Sequence, residues 1–253
     1  MPTPSWLDPA TEIKNNDQPE GYKKLDDITK SIVFILTSYT ALRKCSSQLT
    51  TEQIFWIIGN SIAETGWGRS WKGYNFGGWK INKDYADNYK RFKKHSAPWW
   101  QAAGHVASGD SPVVYYRGYT DPSHFYSEWI ERFVPSTPNL VAERYNKTGK
   151  VFWQDNPDWF RELCLAGYKG PVTQANPEKS VKDWESIVHT AQVRVAQYLL
   201  KVKVDGSWGA KSQAACDAFA IKHNLPTGPL TLNVLAGLIA EWEKNGSVLP
   251  YKL

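Results

Sequence analysis

The run Ile57-Ile58-Gly59-Asn60-Ser61-Ile62-Ala63-Glu64-Thr65-Gly66-Trp67-Gly68 puts a carboxylate at the end of an apolar helical segment, followed at once by a turn of two glycines and a tryptophan. Burial destabilises the charged form of a carboxyl. Glu64, expected half-buried beside Trp67, therefore reads as a proton donor to a leaving oxygen, the step on which cleavage of a glycosidic bond depends. The plainer alternative is a solvated carboxylate at a helix end.

Upstream, Ile54, Ile57, Ile58, Ser61 and Ile62 form one stripe of a helix that Thr50 or Thr51 would cap, which leaves Glu64 at its flank, at a cleft edge. Before it, Ile28, Ile32, Ile35, Leu36, Tyr39 and Leu42 recur at three- and four-residue steps from Asp26 onward, so a second amphipathic helix is predicted there. Residues 1–25, rich in Pro, Asn, Asp and Lys, carry no sustained period and read as an irregular arm with no functional role. Downstream, Tyr74-Asn75-Phe76-Gly77-Gly78-Trp79-Lys80 has glycines that imply backbone folded close to a helix or a ligand.

These blocks resemble the glucosaminidase family of peptidoglycan hydrolases, in which a helix-ending catalytic glutamate precedes an Asn-Phe-Gly turn. Tyr116-Arg117-Gly118-Tyr119-Thr120-Asp121, with Ser123, Phe125, Tyr126 and Trp129, is similar to that family's Arg-x-Tyr strand and following helix. Ala166-Gly167-Tyr168 resembles its active-site tyrosine segment. The likeness covers roughly residues 28 to 185, and its specificity lies in four motifs kept in order. It implies a mainly α, lysozyme-like catalytic domain over 26–184 with a small β-rich lobe, and cleavage after N-acetylglucosamine in the glycan strand. Glu64 takes the general-acid position and Tyr168 the tyrosine position; Asn75, Trp79, Tyr119 and Trp67 become subsite candidates.

A second catalytic carboxylate is harder to find, since no Glu lies between Glu64 and Glu128. Asp84 and Asp110 are the candidates in the expected lobe, beside the chance that each is a loop residue, and some glycosidases use the substrate's own acetamido group instead. Family members commonly carry a glutamate in this lobe, so its absence leaves the stereochemical outcome open.

The C-terminal section, 185–253, reads as a separate small domain of three helices. Val188, Val195, Tyr198 and Leu199 suit a buried helix face. Asp205-Gly206-Ser207-Trp208-Gly209-Ala210-Lys211-Ser212 resembles the turn of the peptidoglycan-binding domain, with Asp205 and Trp208 as wall-binding candidates. Its second copy is eroded to Leu225-Pro226-Thr227-Gly228-Pro229-Leu230-Thr231. A helical dimerisation unit is the alternative. Joined, the two parts look like a modular bacteriophage endolysin, a cutter and an anchor on one polymer; a phage-tail or secretion-system effector would read alike.

Composition bounds the rest. With 253 residues, 42% of them hydrophobic, the chain can bury a sizeable core and a satellite. The net charge of +5 suits an anionic partner but is far from the dense basic footprint of a nucleic-acid binder. The basic run Lys90, Arg91, Lys93, Lys94 reads as a solvated face or as an attractant for anionic wall polymers. Thirteen Trp and thirteen Tyr suit either a core or a saccharide groove. No apolar run is long enough for a membrane span, and the first residues lack the layout of a signal peptide. Together with the endolysin-like organisation, which implies synthesis in a host cytoplasm, this gives action at the wall or periplasm, as a monomer, as the expectation. Cys45, Cys164 and Cys216 lack metal-ligand spacing, the histidines have no partners for a metal, and no cofactor motif occurs, so neither metal nor cofactor is expected.

Overall fold

The computed structural model describes residues 12, 17–47, 49–81, 99–103, 113–133 and 175–253. Among them the chain is mainly helical: α1 (Glu20–Lys23), α2 (Asp27–Cys45), α3 (Thr51–Thr65), α4 (Pro122–Phe133), α5 (Pro177–Leu199), α6 (Ala210–Lys222) and α7 (Leu232–Lys244). Three short strands, β1 (Lys80–Ile81), β2 (Trp99–Ala103) and β3 (Val113–Arg117), form an antiparallel sheet in the order β1-β3-β2. Trp99 pairs with Arg117 and Lys80 with Tyr116.

The helix starts follow from local chemistry. Asp26 accepts the Thr29 N–H and caps α2. Thr50 and Gln53 form a reciprocal capping box that opens α3, satisfying two N–H groups that no helical carbonyl can reach. Asp121 accepts the His124 N–H at the start of α4, and Thr231 accepts that of Val234 at the start of α7.

Sequence periodicity predicts a single buried stripe on α2, but its middle is enclosed on all sides, with every residue from Ser31 to Leu36 buried. The cause is crowding: α3, α4 and α5 all pack against it. On α3 the predicted stripe holds, with Ile54, Ile57, Ile58 and Ile62 fully buried. Within the segment expected to be irregular, residues Glu20–Lys23 form a helical turn. Tyr22, on α1, has no exposed surface, and its ring meets those of Trp71 and Tyr251.

Helix α5 runs unbroken through position 184/185, the expected domain boundary. Its Trp184 and Val188 pack on α3 at Gly59, where an added Cβ would lie 2.9 Å from Val188 Cγ2 and 3.0 Å from Trp184 Nε1. The Trp184 indole donates to the Trp56 carbonyl of α3. Farther along, α5 packs against α7, so the same helix belongs to both neighbourhoods and the buried apolar residues form one continuous cluster. Cys45 and Cys216 are free thiols; Cys164 lies outside the described residues. No helix described is long and apolar enough to cross a membrane.

Candidate active site

Glu64 occupies the last turn of α3, and the chain leaves the helix through three successive left-handed residues: Gly66 (φ 57°), Trp67 (φ 65°) and Gly68 (φ 78°). Only glycine adopts this conformation freely, and Trp67 is held in it by its surroundings. The Trp67 N–H donates to the Ile62 carbonyl, while the Thr65 hydroxyl donates to Ser61 O and accepts from the Gly68 N–H. From below, the Tyr22 hydroxyl donates to the Gly68 carbonyl at 2.8 Å and Gln18 Nε2 reaches the same oxygen. Gln18 and Tyr22 thus bolt down the turn that directly follows the candidate acid.

A second turn faces it. The Asn75 side chain closes the 75–79 loop from both ends of its amide, Nδ2 donating to Trp79 O and Oδ1 accepting the Trp79 N–H. Phe76 anchors the loop in the core, packed edge-on against Phe34 and Phe125. This geometry brings Gly78 (φ 61°) to Glu64, so that a Cβ built on Gly78 would lie 3.4 Å from Glu64 Oε2. The two glycine turns predicted from sequence therefore meet at the carboxylate. The burial expected for Glu64 is absent, however, because its side chain stands exposed beyond the Gly66–Gly68 turn. The helix ends one residue after Glu64, and the neighbouring Trp67 turns its ring toward α5 instead.

The third block packs behind the loop. The Arg117 N–H donates to Trp79 O, and that of Tyr119 to Gly73 O. Arg117 Nε donates to Glu128 Oε2 at 2.9 Å, with both side chains buried, and Nη1 donates to Gly118 O. The guanidinium lies over the Tyr119 ring at 4.7 Å, and its Nη2 stands 3.3 Å from His124 Nε2. Sequence reasoning did not pick out this ion pair, although Arg117 and Glu128 are both visible as charges within apolar surroundings.

The candidate subsite residues thus occupy different settings. Trp79 is half-buried, its ring tilted against Phe125 and edge-on to Tyr119. Tyr119 is enclosed, and the Asn75 amide is committed to its own loop. Trp67 is half-buried with the Arg194 guanidinium over its ring at 4.2 Å. Asp84, Asp110 and Tyr168 lie outside the described residues, as does the basic run of residues 90–95.

In the C-terminal section, the turn after α5 is organised by Gln197, a buried side chain that sequence reasoning missed. Its Oε1 accepts the N–H groups of Asp205 and Gly206, and its Nε2 reaches Asp205 Oδ1, Ser207 O and Ser212 Oγ. Asp205 also accepts the Ser207 N–H, which, ahead of Gln197 and Lys203, holds its carboxyl below the ordinary Asp range. Trp208 donates through Nε1 to Gln213, whose Nε2 donates to Asp217 and to Gly228 O. Asp217 accepts the Gly228 N–H, so one chain of hydrogen bonds ties the first turn to the eroded second copy. Both wall-binding candidates therefore have a structural task.

Among the described residues no cluster of His, Cys, Asp and Glu could hold a metal ion. Set against family models, curated proteins and solved structures, the chain finds no match.

Proposed function

We propose that this chain hydrolyses the glycan strand of bacterial peptidoglycan at the N-acetylglucosaminyl bond, with Glu64 as general acid in a lysozyme-like catalytic body and residues 185–253 as a wall anchor. The observation that carries the reading is the meeting of the Glu64 carboxylate with Gly78, where a Cβ built on the glycine would lie 3.4 Å from Glu64 Oε2 and two glycine turns converge on the acid. Glu64 protonates the leaving glycosidic oxygen as the bond breaks; a lobe carboxylate, Asp84 or Asp110, or the substrate's acetamido oxygen serves the opposite face. Tyr168 would orient the acid or the acetamido group.

Purified protein should clear a suspension of cell walls, and Glu64→Gln, which keeps the shape but cannot donate the proton, should lower that rate on the order of 10²–10⁴-fold. Equal lysis by both proteins would remove the assignment. Mass spectrometry of the fragments identifies the bond: reducing-end N-acetylglucosamine is expected, whereas reducing-end or anhydro N-acetylmuramic acid would mean a muramidase or a lytic transglycosylase. The exposure of Glu64 favours a second reading, a wall-binding protein without chemistry. Binding to walls with no fragments released would establish it.

A further inference from the structure

Arg194 projects from α5 into the gap between two turns that lie far apart in sequence. On one side its guanidinium carbon sits 4.2 Å from the centroid of Trp67, three residues past Glu64. On the other, a Cβ built at Gly206 would meet Arg194 Nε at 3.3 Å and Thr190 Cγ2 at 3.1 Å. Nε is shielded from solvent and has no hydrogen-bond partner, so the position of this side chain is set by contact on its two faces. A guanidinium over an indole face is attracted by the ring's quadrupole, the more so where water is excluded. Burial, together with the charge of Arg69, lowers the pKa of Arg194 from its usual value.

Neither flank is soft. Gly206 has φ 78° and donates its N–H to the buried Gln197, which also holds Asp205 and Ser207. Trp67 has φ 65° and is pinned through its N–H to Ile62, in the helix whose last turn carries Glu64. A displacement of the Asp205–Gly209 turn therefore has a rigid path to the backbone beside the carboxylate. We infer that Arg194 is a positioning residue, through which the turn of the C-terminal section sets the pose of Trp67 and, with it, of the turn that directly follows Glu64. Its functional side rests on the glycosidase reading; the mechanical coupling stands without it.

Two measurements separate these. In ¹H–¹⁵N spectra, Gly206→Ala should shift the indole N–H resonance of Trp67, because the new methyl presses on Arg194; in an Arg194→Gln background the same change should leave that resonance in place. A Trp67 response that persists without the guanidinium would overturn the coupling. With soluble glycan oligosaccharides as substrate, Arg194→Gln should lower kcat on the order of tenfold. KM should stay within about twofold, Arg194→Lys should recover part of the loss, and Trp67→Leu combined with Arg194→Gln should be no slower than the slower single variant. An unchanged kcat in a folded Arg194→Gln protein, or additive losses in the double variant, would overturn the positioning role. If Arg194→Gln does not fold, Arg194→Lys carries both measurements, since an ammonium keeps the charge but loses the planar contact. A wild-type protein with no turnover defeats the glycosidase reading alone, and the resonance measurement still decides the coupling.

Discussion

Gly68 and Gly246 share a left-handed backbone, φ 78° and 90°, yet only Gly68 is boxed in. A Cβ at Gly68 would lie 2.6 Å from Phe34 Cβ and 2.7 Å from the Tyr22 hydroxyl, while nothing lies within 4 Å of one at Gly246. Gly246→Ala should cost about 1 kcal/mol, the conformational term alone, and Gly68→Ala about 3 kcal/mol, with the collision added. Urea unfolding of the two variants measures the difference. The buried pair Arg117–Glu128 makes a second test at this scale. Glu128→Gln keeps an accepting oxygen but takes away the negative charge that faces a buried guanidinium, and should lower stability by about 3 kcal/mol, read from the same unfolding curves. The sequence marks Gly68 as a turn residue because two glycines flank a tryptophan. It does not show why no other residue fits, because Tyr22 is 46 positions away in a segment without periodicity. Asn75 illustrates the opposite difficulty: an amide suits a sugar site and a loop clasp equally, and only its partners show that here it clasps its own loop.

Elements were legible where their signals are local. Of the two threonines expected to cap α3, Thr50 does so, α2 begins at Asp27 where the apolar period sets in, and the α3 stripe is buried as its period requires. The long-range work of α5 left no such trace, because Arg194 and Gln197 look like solvent-facing polar residues until the turn at 205–209 folds back on them. Gln197→Met should cost about 2–4 kcal/mol, because the Asp205 and Gly206 N–H groups and the Ser207 carbonyl lose their partner together. Hydrogen exchange should show the 203–209 turn opening first. The Asp205 carboxyl titrates below its ordinary value in the folded chain, so its contribution is complete above the unfolded value of about 3.9 and is lost as the pH falls through the folded value. The Tm difference between wild type and Asp205→Ala should therefore hold from neutral pH to about pH 5 and shrink in more acidic buffer.

At the scale of the whole molecule, α5 packs against α2, α3 and α7, and Tyr251 closes onto Gly21 and Tyr22. The motifs place a boundary at 184/185, and that position falls inside α5, whose apolar spacing runs on from Pro177 to Leu199. A shared core predicts one cooperative transition. Far-UV circular dichroism and tryptophan fluorescence should give superimposable denaturation curves, whereas two resolved midpoints would mean that the sections unfold separately.

The close approach at Gly59 has a mechanical meaning for the proposed activity. Backbone there touches Val188 and Trp184 with no room for a single methyl, so α3 and α5 have little freedom to slide or hinge. A hydrolase whose gripping module hangs on a slack tether can sweep many bonds from one foothold; under the proposed reading, with residues 185–253 as the anchor, this one would hold blade and grip like the jaws of fixed calipers. Its cuts would fall at a constant stride from each point of attachment, and a fresh cut would require the whole body to let go and step.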